Sequence, residues 1–260
     1  MRSISQTINS NKKTSIIPFI TCGYPEVSNY IDLLLSIENS GASVIEIGIP
    51  NSDPLAEGLT IQYSSNLAID NGINTLKCLE IVSEARNRGL KIPVVLMGYY
   101  NNILAYDIKS FCKDAKNSGI DGLIVADLPI FEASPIIEET EKNNISYIPL
   151  LSINSSDEII KKATNIATGF IYCISVLGIT GERKMTFDRV KNLVASVKNY
   201  SNSNIPVAVG FGVSDKSDVQ NIGEFADAVV VGSALINRLR NCKKDDIIKT
   251  AESFIKSLVQ

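Results

Sequence analysis

Short apolar runs rich in Ile and Val alternate along the chain with longer stretches in which apolar residues recur every three or four positions. The runs are Ile16–Thr21, Val44–Ile49, Pro93–Met97, Gly122–Ala126, Tyr147–Leu151, Phe170–Ser175, Pro206–Val209 and Ala228–Val231. Near-continuous apolar runs suit parallel strands covered on both faces. Between the first two runs, Val27, Tyr30, Ile31, Leu34 and Ile37 follow the i, i+3, i+4 spacing of one buried helix face. Asn39-Ser40-Gly41 and Asn117-Ser118-Gly119 read as helix stops, with glycine taking the left-handed conformation, and a strand follows each at once. Strands alternating with helices predict a parallel α/β fold. Eight such units, roughly 32 residues each, favour a closed barrel over an open doubly wound sheet. The length of 260 residues is near the ~250 typical of that barrel. No linker or low-complexity segment interrupts it. Residues 1–260 are therefore expected to form a single (β/α)8 TIM barrel domain, with Met1–Lys13 as a short N-terminal helix or arm.

Composition narrows the function more than the fold. Hydrophobic residues make up 45% and charged residues 20%, an ordinary balance for a soluble globular protein. A net charge of −3 without a basic patch argues against nucleic acid, and apolar runs of strand length argue against a membrane span. The five cysteines are odd in number, scattered and free of any CxxC pair, which suggests neither a disulfide framework nor a zinc site. A reducing compartment is expected, either the cytoplasm or, given the richness in Ile, Asn, Lys and Ser, the stroma of a plastid that encodes the chain. There is no histidine. Ser-His-Asp and Cys-His catalysis and His-ligated metals are thereby excluded, so acid–base work falls to carboxylates, lysines, tyrosines or cysteines.

In such barrels the chemistry gathers where strands end and the next loops begin. The second strand reads Val44-Ile45-Glu46-Ile47-Gly48-Ile49-Pro50, with an acid amid apolar residues. A buried carboxylate without a cationic partner has a raised pKa, which fits proton transfer near neutrality; a structural glutamate held by backbone donors is the bland alternative. In the loop Asn51–Gly58, Ser52-Asp53-Pro54 looks like turn chemistry with Asp53 as cap or turn residue, and Glu57 is able to swing inward. Val209-Gly210-Phe211-Gly212 and Val231-Gly232-Ser233 end the seventh and eighth strands. Glycines there let backbone N–H groups approach an anion, and a helix starting at Ser233 adds its dipole, so a phosphorylated ligand is expected. The loop from Ile174 to Arg183 carries Gly178 and Gly181 and is a candidate lid. No strand ends in lysine, against a Schiff-base aldolase, and no acid cluster has metal-ligand spacing. The residues point to cofactor-free proton transfer on a phosphorylated small molecule.

At the level of motifs, Glu46-Ile47-Gly48-Ile49-Pro50-Asn51-Ser52-Asp53-Pro54-Leu55-Ala56-Glu57-Gly58 resembles the signature of the tryptophan synthase α subunit family. So do Pro18–Pro25, Val125-Ala126-Asp127-Leu128-Pro129, Gly178-Ile179-Thr180-Gly181, Gly210-Phe211-Gly212 and Gly232-Ser233-Ala234, in order along nearly the whole chain. The resemblance implies a lyase that splits indole-3-glycerol phosphate into indole and glyceraldehyde 3-phosphate by retro-aldol cleavage, in tryptophan biosynthesis. It implies Glu46 and Glu57 as catalytic residues, Phe19 and Tyr172 beside the indole, and Thr180, Gly181, Phe211, Gly212, Gly232 and Ser233 as substrate-binding positions. It also implies a tryptophan synthase β subunit as partner in an α2β2 assembly, with pyridoxal phosphate in the β chain and no cofactor or metal in this one. Three positions depart from the signature. Glu57 stands for an aspartate, Leu59 for a proline and Asn51 for an apolar residue. They leave two alternatives open: a low-activity α-like subunit that mainly activates the β subunit, and a free-standing indole-releasing lyase. Another phosphate-binding barrel, such as an isomerase of sugar-like phosphates, would leave the second-strand signature unexplained.

Overall fold

The computed structural model describes residues 3–259 except 12, 55, 56, 175–182, 202–204 and 211, and describes the backbone alone for residues 183–186. The first helix, α1 (Ile4–Asn9), starts with a capping box: Ser3 Oγ accepts from the Gln6 N–H, and the Gln6 side chain accepts from the Ser3 N–H. Its apolar residues Ile4 and Ile8 are buried. Ile4 is seated against Gly122 and Gly169, where an added Cβ would come within 2.8 and 3.5 Å of its Cδ1. Gly122 begins a barrel strand and Gly169 shortly precedes another, so α1 stops the barrel at the strands' N-terminal ends. The open mouth is at the other end.

The strands are β1 (Ser15–Thr21), β2 (Ile45–Gly48), β3 (Val94–Gly98), β4 (Gly122–Val125), β5 (Ser146–Tyr147), β6 (Leu150–Ser152), β7 (Ile171–Ile174), β8 (Val207–Gly210) and β9 (Ala228–Val231). All their pairings are parallel, and β1 pairs with both β2 and β9. Nine strands fill eight barrel positions because the expected fifth strand is split at Ile148-Pro149, where proline has no N–H to give a ladder. The bonds to both neighbours persist across the split: the Ile148 N–H donates to the Leu123 carbonyl (3.0 Å) and the Tyr172 N–H to the Pro149 carbonyl (3.1 Å). The ring therefore closes as the eightfold repeat predicts.

Helices cover the outside. A 3₁₀ turn (Val27–Asn29) leads into α2 (Tyr30–Asn39), which buries Tyr30, Leu33, Leu34 and Ile37. Val27 is exposed rather than on the buried face as its spacing predicts, because the turn precedes the helix and breaks its register. Both helix stops occur where expected: Gly41 has φ +102° and Gly119 φ +87°. After β2 come α3 (Leu59–Asp70) and α4 (Thr75–Asn87), and after β3 comes α5 (Tyr100–Tyr106).

Candidate functional site

Strand side chains alternate between faces, so with Ile45 and Ile47 turned outward to the helices, Glu46 and Gly48 face the barrel interior. Register then sets Glu46 beside Phe19 of β1. Tyr172 of β7 is paired with Leu150 of β6 and Ala208 of β8. At the C-terminal ends of the strands Phe19, Glu46, Leu150 and Tyr172 line one cavity of about 420 Å³, together with Glu57, Ile61, Met97, Ala126, Ile174 and the turn Gly210, Gly212, Val213, Ser214. Gly232, Ser233 and Ala234 close one side, where the Ser233–Arg240 helix begins with Gly232 as its N-cap. Two carboxylates, two aromatic rings and a helix N-terminus are thus brought to one chamber.

Glu46 is 1% exposed, and neither of its carboxylate oxygens has a hydrogen-bond partner among the described residues. Among the described residues, then, no backbone donor satisfies it, which weighs against the bland reading of a structural glutamate. Burial, and then the nearby Glu57 charge, push its pKa from 4.5 up to about 8. Glu57, at the turn before α3, is half-buried. Burial raises its pKa to about 7, opposed by a hydrogen bond from Tyr99. Burial and the two carboxylates also raise the Tyr172 phenol, which stays neutral.

The glycines do more than the sequence suggests. A Cβ on Gly48 would lie 2.6 Å from Phe19 Cζ, one on Gly232 3.2 Å from Phe19 Cδ1, and one on Gly210 2.6 Å from Tyr172 Oη. The two rings lie directly over glycine backbone, which sets the cavity's width. Gly212 has φ +45°, which L-residues rarely adopt, and open space around it. At the other chamber wall, the β2–α3 turn is set by Asn51, whose Oδ1 accepts from the Asp53 N–H (2.8 Å). Asp53 is therefore the residue turned rather than the capping one. Tyr99 was not singled out by the sequence; it follows β3 with no motif of its own, and only its position at a strand end marks it. Thr180, Gly181 and Phe211, with residues 175–182 of the candidate lid Ile174–Arg183, lie outside the described residues.

Two carboxyls with raised pKa values beside two aromatic rings suit proton transfer on an apolar molecule, and a helix N-terminus on the same chamber suits an anion. The family profile described as tryptophan synthase alpha chain matches residues 5–258. A tryptophan synthase alpha chain of a Thermoanaerobacter species is 39% identical over 254 residues, covering 97% of this chain and 95% of the relative. The crystal structure of tryptophan synthase subunit alpha from Legionella pneumophila superposes with a TM-score of 0.89 at 32% identity, covering 99% of this chain and 97% of that one. A chain from a structure of the tryptophan synthase α2β2 complex of Pyrococcus furiosus gives a TM-score of 0.86 at 35% identity, covering 95% and 98%.

Proposed function

Because the chain belongs to the tryptophan synthase alpha chain family, we infer that it is the lyase that cleaves indole-3-glycerol phosphate to indole and glyceraldehyde 3-phosphate in tryptophan biosynthesis. We propose that Glu46 and Glu57 carry the reaction and that residues 1–260 act as one barrel domain. The observation that carries the assignment is Glu46, a buried carboxyl on the wall of the cavity with no hydrogen-bond partner among the described residues. With a pKa of about 8, Glu46 is mostly protonated at neutral pH. It is then an acid able to protonate indole C3. Once ionised, it is a base for the side-chain hydroxyl, whose deprotonation breaks the C–C bond. As C3 gains its proton the ring N–H becomes positive, and the Glu57 carboxylate stabilises that charge. Tyr99 supports this division, since its hydrogen bond favours the ionised form of Glu57.

Phe19 and Tyr172 offer apolar faces to the ring. The backbone around Gly212, Gly232 and Ser233 is suited to the phosphate, because free N–H groups and the helix dipole both favour an anion. Thr180, Gly181 and Phe211 complete the proposed substrate contacts. The reading needs no cofactor in this chain. Pyridoxal phosphate belongs to the proposed partner, a tryptophan synthase β subunit in an α2β2 assembly. Exposed apolar residues support that docking: Leu59 (83% exposed), Leu104 (50%) and Phe131 (46%) lie in the segments that leave the C-terminal ends of β2, β3 and β4. Among the described residues no helix is long and apolar enough to cross a membrane. We place the chain in the cytoplasm, or in the stroma if a plastid encodes it.

Glu46→Gln keeps the shape and removes the titrating group. It is expected to lower kcat for indole release at least about 100-fold while substrate binding persists, since general acid–base catalysis contributes about 10²–10⁴. Indole release near the parental rate by that variant would refute the assignment. Measuring the parent chain with and without a β subunit decides between an active α subunit, a mainly activating one and a free-standing lyase.

A further inference from the structure

The segment between β2 and α3 carries Glu57, and side chains hold it. The Asn51 N–H donates to Ser65 Oγ on α3 (2.7 Å), and that hydroxyl donates back to the Asn51 carbonyl (3.0 Å). A backbone N–H can only donate, so the Asp53 bond to Asn51 Oδ1 settles which end of this amide is oxygen. Nδ2 is then left to donate to Asn102 Oδ1 on α5 (3.0 Å). An apolar residue at position 51, as in the family signature, makes neither side-chain bond. Farther along, the Glu57 N–H donates to the Pro54 carbonyl (3.0 Å), and Gln62 Nε2 donates to the Glu57 carbonyl (2.9 Å). Asn51 and Glu57 are thus each tied to packed helices.

The start of α5 is itself fixed against the barrel, since the Tyr100 N–H donates to Asp127 Oδ1 (2.7 Å) beyond β4. Tyr99, just before that helix, reaches the Glu57 carboxylate. Asn102, one turn later, reaches Asn51. Tyr99 and the first turn of α5 therefore reach the loop at Asn51 and at Glu57.

We propose that the Asn51–Asn102 hydrogen bond is a clamp that places the Glu57 carboxylate, so that Asn51 and Asn102 are positioning residues for the reaction. The proposal rests on Glu57 being the second carboxylate of the lyase. Two of the chain's departures from the signature then form one adaptation: Glu57 is longer than aspartate by a methylene, and the polar residue at 51 sets the loop from which it reaches. A single part-buried hydrogen bond adds little to stability. A displacement of about 1 Å at a reacting group, however, costs up to about 10²-fold in rate.

The test is steady-state indole release by the full chain, with and without its β partner. Asn102→Leu keeps the bulk and removes the acceptor; Asn102→Asp keeps an acceptor. Asn102→Leu and Asn51→Ala are each expected to lower kcat about 10- to 100-fold with KM within about threefold. The double variant is expected to lose no more than Asn51→Ala alone, because Asn51→Ala already breaks the shared bond along with the one from the Asp53 N–H. Asn102→Asp stays within about threefold of the parent. Among the described residues, the titratable groups facing Glu57 are Glu46 of β2, Tyr99 beyond β3 and Tyr172 of β7. Once the loop is released, Glu57 moves into water and away from Glu46, so the pH–rate limb of the carboxylate pair shifts to lower pH. Parental kcat and pH profile in Asn102→Leu, additive losses in the double variant, or equal losses in Asn102→Asp and Asn102→Leu each overturn the clamp. Glu57→Gln, measured alongside, separates the two levels. Parental turnover in that variant sinks the underlying assignment. A loss there of about 100-fold, with Asn102→Leu unaffected, sinks the clamp alone.

Discussion

Glu46 shows how a single side chain can be costly to the fold and, in the role proposed for it, useful to the reaction. Its folded pKa of about 8 lies above its ordinary 4.5. Between those values the folded protein holds a proton that the unfolded chain has released, so stability falls as pH rises through that window. Glutamine carries no such charge. Glu46→Gln is therefore expected to match the parent's stability at about pH 5 and to exceed it at about pH 9, by on the order of a few kcal/mol. Denaturant unfolding at the two pH values measures this, and a difference independent of pH would mean that the carboxyl is not the buried neutral acid described here. The residue was legible in the sequence because an acid in an apolar strand violates a simple pattern. Tyr99 was not, because a tyrosine after a strand violates nothing, and its hydrogen bond to Glu57 needs the β3 end and the β2–α3 turn to meet in space.

Elements position the site through close approach of backbone to ring. Gly210, at the end of β8, leaves room for the Tyr172 hydroxyl, and a Cβ would come within 2.6 Å of it. A strand's backbone cannot give way cheaply, so the ring must move. Gly210→Ala is expected to raise KM for indole-3-glycerol phosphate at least about tenfold, with stability lowered by about 1–3 kcal/mol from the overpacked contact. A parental KM in steady-state assays would contradict that. The sequence marks Gly210, Gly212 and Gly232 as glycines at strand ends and suggests anion binding; it does not reveal that Gly48, Gly210 and Gly232 also seat Phe19 and Tyr172, because that contact joins strands distant in sequence. The split of the fifth strand escaped for a similar reason. The run Tyr147–Leu151 is apolar throughout, and only the ladder shows that Pro149 interrupts it.

At the scale of the molecule, α1 stops one end of the barrel and leaves the chamber open at the other, where the segments carrying the exposed Leu59, Leu104 and Phe131 leave β2, β3 and β4. Leu104→Asp or Phe131→Asp is expected to weaken association with a β subunit at least about tenfold and to leave the isolated chain's kcat unchanged. Titration by calorimetry reads the first and indole release the second; unchanged affinity in both variants would move the docking face elsewhere. The repeat of apolar runs by itself determined the strand order, the parallel barrel and the buried acid, because periodicity and burial are local consequences of composition. The motif signature determined the family and its substrate. Only the tertiary structure decided how Glu46, Glu57 and Tyr99 meet and how Asn51 reaches Asn102. Those contacts join strand ends and loops far apart along the chain, and their geometry is set by the closure of the barrel rather than by any one segment.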